Sequence, residues 1–558
     1  MKPLFFFAAG CAVLPNALFG FGAEDASRPV PPAEQQATTE RPSREPSEGV
    51  VAGKDQILLP ALNGLALAKT AEQALSLQQA LESGVKLAGF TPDQEASLQE
   101  IAEKALGQPV SLRSLDELSS KLETALRADG RAFVKVSFPP QEITSGVIAV
   151  LACPARAGAV LIKGKPSFGL RFSADAFRTL PGNPIDGDVV MEDLDWINEN
   201  PLRRASISYA DGAAADAIDL SLRLRSEKPW RGYAGIDNQL SESLGDERVF
   251  LGFQHGNVFG MDHRLTTQAT ASLDAKSLLG ISSIYEIPLP GRHLLDVSLG
   301  YTESEADAAG PIDQSGKFSR IALMYRIPLP RWHSISHQWR AGMEYRDNDY
   351  LFSDGSRDRM RFFQLETGWK GKRNDAYGYT RVDGSISYSP GHGLLGSEDD
   401  DFIALGADGA QSWIARLELE RSLKLGKMAN LLGRCQAQWA DSALLSSDQI
   451  AAAGVGRVRG FDEIVGYASR GMLTSIELQS RIHHTAKAGN WQGIAFVDAA
   501  FLQQESSNDV GELASAGIGL RWRYQDSINA RIDLGIPIVF PEDVDSTPLL
   551  HFSVSTTW

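Results

Sequence analysis

The sequence predicts an all-β transmembrane barrel of about 16 antiparallel strands, preceded by two small α+β domains. Three observations predict this architecture. The N-terminus has the pattern of an export signal. Residues 55–228 contain two successive mixtures of helical and strand patterns. Within residues 229–558 helical periodicity disappears, and segments of about ten residues with alternating polar and apolar side chains recur.

Charge and average composition exclude one class of partner and leave the fold open. The formal net charge is −16 at pH 7. Because a phosphate-binding surface needs a basic stripe, we expect no nucleic-acid partner. The hydrophobic content of 43% fits a soluble globular protein. In a membrane barrel, however, each strand has one apolar and one polar face, which lowers the average hydrophobic content. The order of polar and apolar residues therefore indicates the fold class better than the average composition does.

The N-terminal region is predicted to be removed or unfolded. Lys2 is followed by an apolar run over residues 4–21 with small residues near Ala23, which predicts a signal peptide over residues 1–23. Residues 24–54 are rich in Pro, Glu, Ser and Thr and are predicted to be a linker. No later stretch has 18 uninterrupted apolar residues. The mature chain is therefore either soluble and exported or crosses a membrane as a barrel.

The first domain is predicted over residues 55–154 in the order strand, helix, helix, strand, strand. Thr91 and Pro92 fit the N-cap and first position of a helix. Ser114 ahead of Glu117 fits a capping box for a second helix. Apolar segments predict the strands at residues 57–67, 133–136 and 147–151.

The same order is predicted to repeat in a second domain over residues 155–228. Leu220, Leu222 and Leu224 alternate with polar residues, which is typical of a half-buried strand. The predicted elements are a strand at residues 160–162, helices at 174–179 and 190–198, and strands at 205–209 and 218–224.

Strand alternation over residues 229–558 favours a barrel over a soluble sandwich. In residues 528–536 the apolar side chains lie on one face and the polar ones on the other. Polar faces recur along the region, and aromatic residues such as Trp522, Tyr524 and Trp558 lie near strand ends, as in a membrane barrel with a wet lumen. The predicted strands start near residues 232, 249, 264, 280, 293, 318, 336, 361, 377, 413, 429, 472, 493, 514, 528 and 551.

An even number of strands places both ends of the barrel on one side of the membrane, with the preceding domains. The long connections 442–470, 504–511 and 540–547 then fall on the far side, and the tight turn at 525–526 falls on the near side. The last strand alternates and ends on an aromatic residue. It resembles the signal by which outer-membrane barrels are assembled, which implies the barrel-assembly machinery as a partner. The residues that carry this resemblance are Phe552, Val554 and Trp558.

One loop carries the most distinctive chemistry of the chain. Within residues 442–470 an arginine lies among apolar residues and glycines, which permit positive φ and close backbone approach. This pattern predicts a folded tip. It resembles the VRG(F/Y) loop of the outer-membrane transporter superfamily built from POTRA domains and a barrel, a loop that folds into the lumen. The motif residues are Val458, Arg459, Gly460 and Phe461.

A guanidinium inside a lumen is expected to find a carboxylate. Asp498 lies on an alternating strand and is not expected to face lipid, so Asp498 and Phe496 are predicted to point inward. The strand resembles the inward strand motif of the same superfamily, whose Asp pairs with the loop Arg. The resemblance implies an Arg459–Asp498 pair. The alternative is that Asp498 is one lumen-lining charge among many.

Two domains before about sixteen strands resemble the two-partner secretion transporters (TpsB, the haemolysin activation/secretion proteins). Segments 138–147, 198–201 and 228–230 look like signatures of that branch. The resemblance implies POTRA-like domains in the periplasm of a Gram-negative bacterium and a porin-like channel in the outer membrane, in contact with its lipid. It also implies a large β-helical, haemolysin/haemagglutinin-like exoprotein as partner, with no enzymatic activity. No amphipathic plug helix is predicted over residues 24–50.

Alternative functions rest on weaker patterns. The first alternative is an outer-membrane protein assembly or insertion factor of the same superfamily. A passive porin or receptor, and then an enzyme, fit less well. His483 and His484 suggest a metal site but lack accompanying carboxylates or thiols. The acidic run 398–401 lacks the ligand spacing of a calcium loop. We therefore expect no catalytic residue, metal or cofactor.

Overall fold

The structure of the protein is a computed structural model. It describes residues 43–44, 55–127, 133–164, 177–214, 216–226, 228–240, 245–306, 314–332, 335–352, 357–391, 396–462, 465–485, 489–503, 510–525, 527–542 and 544–558. The predicted signal peptide, and the predicted linker apart from residues 43–44, lie outside the described residues. The described residues form two compact units, one ending at Ser226 and one beginning at Lys228.

The first part of the N-terminal unit is a four-stranded sheet of order β4-β3-β7-β6, with helices packed against it. Its core is built around fully buried leucines such as Leu65, Leu98 and Leu122. The elements are β2 Ile57–Leu59, β3 Gly64–Ala68, α1 Ala71–Gln79, β4 Gly84–Ala88, α2 Pro92–Ala105, β5 Val110–Ser111, α3 Leu112–Arg127, β6 Val134–Ser137 and β7 Val147–Pro154.

Helix α2 begins as predicted, with Thr91 as N-cap and Pro92 as its first residue. The predicted capping box of the next helix is wrong. Helix α3 begins one turn earlier, and Ser111 and Ser114 each donate a backbone N–H to the other's hydroxyl. Helix α1 and strand β4 were not predicted. Only Ala74 and Gln78 of α1 are buried, so this helix lacks the apolar stripe by which a helix is recognised in a sequence.

The second part of the N-terminal unit is a sheet of order β1-β9-β10-β8, against which helix α4 packs. Strand β1, Ser43–Arg44, comes from the segment predicted to be a linker and pairs in parallel with β9. Of the predicted helix 174–179, residues 174–176 lie outside the described residues and 177–179 are not helical. The other elements are β8 Arg156–Lys163, α4 Gly187–Asn198, β9 Arg203–Asp211 and β10 Ala217–Ser226.

The C-terminal unit is a closed antiparallel barrel in which the last strand pairs with the first. Strands β24 (Arg470–Ser480) and β25 (His483–Thr485) both pair with β26 (Gly489–Gln503) and are successive parts of one strand, so the barrel has sixteen strands, as predicted. They are β11 Trp230–Asp237, β12 Arg248–Val258, β13 His263–Ser272, β14 Leu278–Pro288, β15 Leu294–Ala306, β16 Gln314–Trp332, β17 Ile335–Phe352, β18 Arg357–Asp375, β19 Gly378–Pro390, β20 Gln411–Leu425, β21 Ala429–Ala440, β24 Arg470–Ser480 with β25 His483–Thr485, β26 Gly489–Gln503, β27 Val510–Tyr524, β28 Ile528–Val539 and β29 Leu549–Thr557.

Alternation along each strand separates an apolar outer wall from a polar inner wall. On β24, Ile476 and Leu478 are 57% and 46% exposed, whereas Glu477 between them is 3% exposed. An apolar outer face with a polar lumen is the arrangement that a lipid bilayer requires of a barrel. Among the described residues, no helix is long and apolar enough to span a membrane.

Aromatic side chains lie on the outer face near the strand ends. Trp230, Trp339, Trp369, Trp491 and Trp558 are all more than a third exposed and lie towards the end of the barrel where the first strand begins. Such aromatic belts mark the level of lipid headgroups in membrane barrels.

Candidate functional site in the barrel lumen

The connection between β21 and β24, residues 441–469, folds as a compact unit against the inner wall. Its strands β22 Ile450–Ala451 and β23 Tyr467–Ala468 pair as a small antiparallel ladder. Buried Val458 and Phe461 pack in one apolar cluster with side chains from β24, β26 and β27. The wall residues of this cluster are Leu473, Ala500, Leu502 and Leu513. A loop with its own apolar core and a docking face on the wall has a defined position in the lumen.

The guanidinium of Arg459 lies at the centre of the docked tip. Its Nε is 2.7 Å from Oδ2 of Asp498 and its Nη2 is 2.8 Å from Oδ1, so the two side chains form a bidentate pair. Its Nη1 donates to Oε1 of Glu477 at 2.8 Å. The Asp533 carboxylate lies 3.9 Å from the same nitrogen. Arg459 is 2% exposed and Asp498 is fully buried, so this charge cluster is shielded from water.

An aromatic ring completes the pocket around the arginine. The Arg459 guanidinium carbon lies 3.5 Å from the centre of the Phe496 ring, and Phe496 itself is buried. The ring face attracts the cation, and it also covers the surface of the guanidinium that the carboxylates leave open. A planar guanidinium held by two carboxylates and one ring has a fixed orientation, which a lysine ammonium at this position would not reproduce.

Gly460 brings the backbone of the tip directly against the wall. Its φ is +92°, in the left-handed region that favours glycine. A Cβ at this position would lie 2.8 Å from the carbonyl carbon of Gly535 on β28. The N–H of Gly460 donates to Nε2 of His551 on β29 at 2.9 Å. The tip therefore contacts the backbone of β28 and a side chain of β29.

The start of the same connection is held on another part of the wall. Asp448 pairs with Arg346 of β17, with 2.7 Å between Nη2 and Oδ1, and both side chains are buried. The amide of Gln438 donates to the Asp448 carbonyl at 2.8 Å. The Arg346 guanidinium also lies over the Phe362 ring at 4.2 Å. The loop is thus attached to the wall by two buried ion pairs, one on β17 and one on β26.

The structure brings six of the residues singled out in the sequence into one site and leaves three elsewhere. Phe552, Val554 and Trp558 lie on the last strand, and Trp558 exchanges backbone hydrogen bonds with Gly232 of the first strand. The six residues at the loop tip are Val458, Arg459, Gly460, Phe461, Phe496 and Asp498.

Sequence reasoning missed Glu477, Asp533 and His551. Each is a buried polar residue on an inward position of its strand. Inward polar positions recur on every barrel strand, and alternation alone does not tell which of them face the loop. Glu477 and Asp533 add negative charge beyond what Arg459 balances. Arg521 and Arg531 compensate Asp533, with nitrogens 2.7 and 2.6 Å from its carboxylate.

The remaining sequence candidates show ordinary structural contacts. His483 stacks on Trp491 with ring centres 4.1 Å apart, and His484 hydrogen-bonds the Asn490 side chain at 2.9 Å. The acidic run forms the start of a short helix, α5 Asp399–Ala404, with Glu398 as N-cap. In the part of the chain that the structure describes, no group of three or more His, Cys, Asp or Glu side chains has the geometry to hold a metal ion.

Two protein-family models match the chain. The one described as haemolysin secretion/activation protein ShlB/FhaC/HecB matches residues 216–522, which is more than half of the chain. The one described as POTRA domain, ShlB-type, matches residues 82–154. This second match lies on helices and strands of the first α+β sheet of the N-terminal unit.

Curated relatives are similar over different lengths. The heme/hemopexin transporter protein HuxB of Haemophilus influenzae (strain 86-028NP) is 23% identical over 180 residues, which are 32% of this chain and 32% of HuxB. The outer membrane transporter CdiB-2 of Burkholderia pseudomallei (strain 1026b) is 21% identical over 393 residues, covering 68% of this chain and 66% of that protein. The chain thus spans about a third of the length of the HuxB relatives that it matches.

Solved structures share the fold of the whole chain. CdiB from Escherichia coli superposes with a TM-score of 0.67 at 16% identity, covering 94% of this chain and 95% of that one. CdiB from Acinetobacter baumannii superposes with a TM-score of 0.62 at 16% identity, covering 99% of both chains. The family match indicates an outer-membrane barrel with periplasmic POTRA domains, which agrees with the apolar outer wall. The chain belongs to the ShlB/FhaC/HecB family of haemolysin secretion/activation proteins.

Proposed function

We propose that this protein is an outer-membrane pore that recognises an unfolded exoprotein in the periplasm and translocates it to the cell surface, as in two-partner secretion. The observation that carries the proposal is the loop docked in the lumen, whose position is fixed by the buried Arg459–Asp498 pair. A passive porin needs neither this loop nor an N-terminal unit with two four-stranded sheets. Family membership supports a transporter.

The partner in this proposal is a large β-helical exoprotein of the haemolysin/haemagglutinin type, captured by two POTRA-like domains over residues 55–154 and 155–228. Sheet edges support this role. Among the described residues, β8 pairs with β10 along its length and with residues 182–184 only at Arg156 and Ala157, so the rest of β8 has a second edge. An extended polypeptide adds to such an edge through backbone hydrogen bonds, which need no particular sequence and suit an unfolded substrate.

The barrel residues have two roles in the proposal. Arg459, Asp498 and their neighbours hold the loop in a conduction-competent arrangement inside the pore. Phe552, Val554 and Trp558 form the signal by which the barrel-assembly machinery inserts the chain into the outer-membrane lipid. The exposure of Val554 and Trp558 on the outer face supports an encounter with a partner before or during insertion.

Substitution of the loop arginine tests the proposal. The Arg459→Ala variant is co-expressed with the exoprotein partner, which is sought among the products of neighbouring genes as a large secreted repeat protein, and the exoprotein in the medium is measured. We expect secretion to be abolished, because the change leaves buried Asp498 and Glu477 without their shared cation. The barrel is expected to remain in the outer membrane, which a heat-modifiability gel on isolated outer membranes checks. A variant lacking residues 55–228 is expected to lose secretion in the same way.

Arg457→Ala is the matched control, since Arg457 lies in the same loop but is half-buried and bound to the Ala453 carbonyl. We expect it to secrete. Unchanged secretion by Arg459→Ala would overturn the role given to the loop. Depletion of other barrels from the outer membrane of the Arg459→Ala strain, with normal exoprotein secretion, would instead favour the assembly-factor function.

A further inference from the structure

We propose that His551 is a positioning residue for the loop tip: its imidazole accepts the backbone N–H of Gly460 and holds the tip to the strand that closes the barrel. The inference deepens the proposed function and rests on it for its biological meaning. Its physical content is a second attachment of the loop, separate from the arginine–carboxylate pair. Four features of the molecule carry it.

The first feature is the geometry of the ring. Gly460 N lies 2.9 Å from Nε2, and His551 is 2% exposed. Because the backbone N–H donates, Nε2 carries no proton, and the neutral ring has its proton on Nδ1. Within the residues that the structure describes, Nδ1 is buried and meets no acceptor. Among the described residues, the contact with Gly460 is therefore the hydrogen bond that the imidazole makes, and the ring does not belong to a hydrogen-bond network among the wall side chains.

The second feature is the need of the loop for an acceptor at this point. Gly460 is buried, and a buried backbone N–H without a partner destabilises the state that contains it. The wall directly beneath the tip is Gly535, which has no side chain to accept the bond. In the register of the sheet, His551 lies opposite Asp533, two residues from Gly535 on the neighbouring strand β28. The His551 side chain, from β29, reaches the Gly460 N–H, for which Gly535 of β28 offers no side-chain acceptor.

The third feature is the division of attachments between neighbouring residues. Arg459 donates hydrogen bonds to carboxylates on β24 and β26, and its Nη1 lies 3.9 Å from Asp533 of β28. Gly460, the next residue, contacts β28 through its backbone and β29 through His551. Adjacent residues of the tip thus contact strands on both sides of β27. A tip held on one side only is free to pivot about that contact, whereas two attachments fix its orientation.

The fourth feature is the strand on which His551 lies. The ladder between the last and first barrel strands runs from Thr557–Tyr233 to Ser553–Asp237, and His551 follows just past its end on β29. Beyond the end of this ladder, the Asn238 side chain accepts a hydrogen bond from the backbone N–H of Phe552 at 2.7 Å. The hydrogen bond to Gly460 therefore joins the loop tip to the strand through which the barrel closes.

The experiment measures how often the tip leaves the wall. Ala452, fully buried in the loop, is replaced by cysteine in a protein whose native cysteines are serine. A membrane-impermeant maleimide then labels the purified, reconstituted protein at a rate that follows the undocked fraction. Lys276→Cys, at an exposed turn, is made in parallel as the reference for reagent access.

Two substitutions at His551 distinguish the loss of the hydrogen-bond acceptor from a change in side-chain volume. His551→Leu removes the acceptor and is expected to raise the labelling rate of Ala452→Cys about ten-fold, the size expected for one buried donor left without a partner. His551→Gln places an amide oxygen near the former Nε2 and is expected to keep the rate within about two-fold of the unsubstituted His551 protein. The rate at Lys276→Cys is expected to stay constant. His484→Gln, at a rim position bonded to Asn490, controls for loss of a histidine as such.

Equal rates for His551→Leu and the unsubstituted protein would overturn the proposal, as would equal acceleration by Leu and Gln. If a gel shows that His551→Leu does not fold, His551→Asn replaces it. The shorter Asn amide is expected not to reach Gly460 and to accelerate labelling, and failure to do so would again overturn the proposal. The measurement needs no exoprotein, so failure of the secretion proposal appears in the Arg459→Ala assay and not here.

Discussion

Two arginine–carboxylate clusters on the inner wall of this barrel use the same chemistry in different surroundings. At the loop tip, Arg459 binds Asp498 and Glu477, and all three side chains are at most 4% exposed. On the wall formed by β17, β18 and β19, Arg340 binds Glu366 at 3.1 Å and Asp383 at 2.6 Å, but these side chains are 18–27% exposed. Distances are alike in the two clusters, and exposure to water is what separates them.

The difference teaches that position in the lumen decides what an ion pair does. Water screens and solvates the Arg340 cluster, so losing one partner leaves charges that water stabilises. The Arg459 cluster lies beneath the loop that it holds, and the loss of one partner there leaves a charge without compensation. The Arg340 cluster lines a wet pore, and the Arg459 cluster specifies where the loop lies.

The largest expected effect is that of Asp498→Ala. The change removes three hydrogen bonds of Arg459, one from its backbone N–H and two from its guanidinium, and leaves the buried guanidinium with Glu477 as its nearest carboxylate. We expect the free energy of unfolding to fall by about 3–5 kcal/mol. Urea titration of the barrel in lipid vesicles, followed by tryptophan fluorescence, measures it. A loss of less than about 1 kcal/mol would show that water reaches this cluster and would remove the contrast.

A smaller effect is expected for Gly460→Ala. Its positive φ and the 2.8 Å approach to Gly535 both oppose a Cβ, so the tip must lift from the wall, at a cost of about 2–3 kcal/mol in the same titration. Gly456→Ala is the matched control: its φ is +87°, but nothing lies within 4 Å of a Cβ there, so about 1–2 kcal/mol is expected. Equal costs would mean that close approach to the wall adds nothing.

The smallest effect is expected for Glu366→Gln in the wet cluster. Glu366 is 27% exposed, and Arg340 keeps its contact with Asp383. We expect the free energy of unfolding to change by less than about 1 kcal/mol. Ion selectivity in planar bilayers is expected to shift towards anions, since the pore wall loses a negative charge. A stability loss as large as that of Asp498→Ala would place both clusters in the same class.

Most of the barrel was predictable because the signal for each strand is local. Every predicted strand start lies within four residues of the observed one, from Trp230 to Leu549. Alternation of polar and apolar side chains depends only on which face meets lipid, and the sequence carries it residue by residue. Helix α1 was missed for the opposite reason, since a helix that buries only Ala74 and Gln78 has no apolar periodicity to detect.

The amino-acid sequence by itself determined the number of barrel strands, their inward and outward faces, and the presence of an arginine-bearing loop too apolar to be solvated. Its resemblance to a known family supplied Asp498 as the partner of Arg459. Tertiary structure alone decided that Glu477, Asp533 and His551 surround the tip. These residues lie on three strands, between 18 and 92 positions from Arg459 in the chain. Their inward, polar character is shared by residues all around the lumen, and only the closure of the barrel and the docking of the loop select which of them meet the arginine and the glycine beside it.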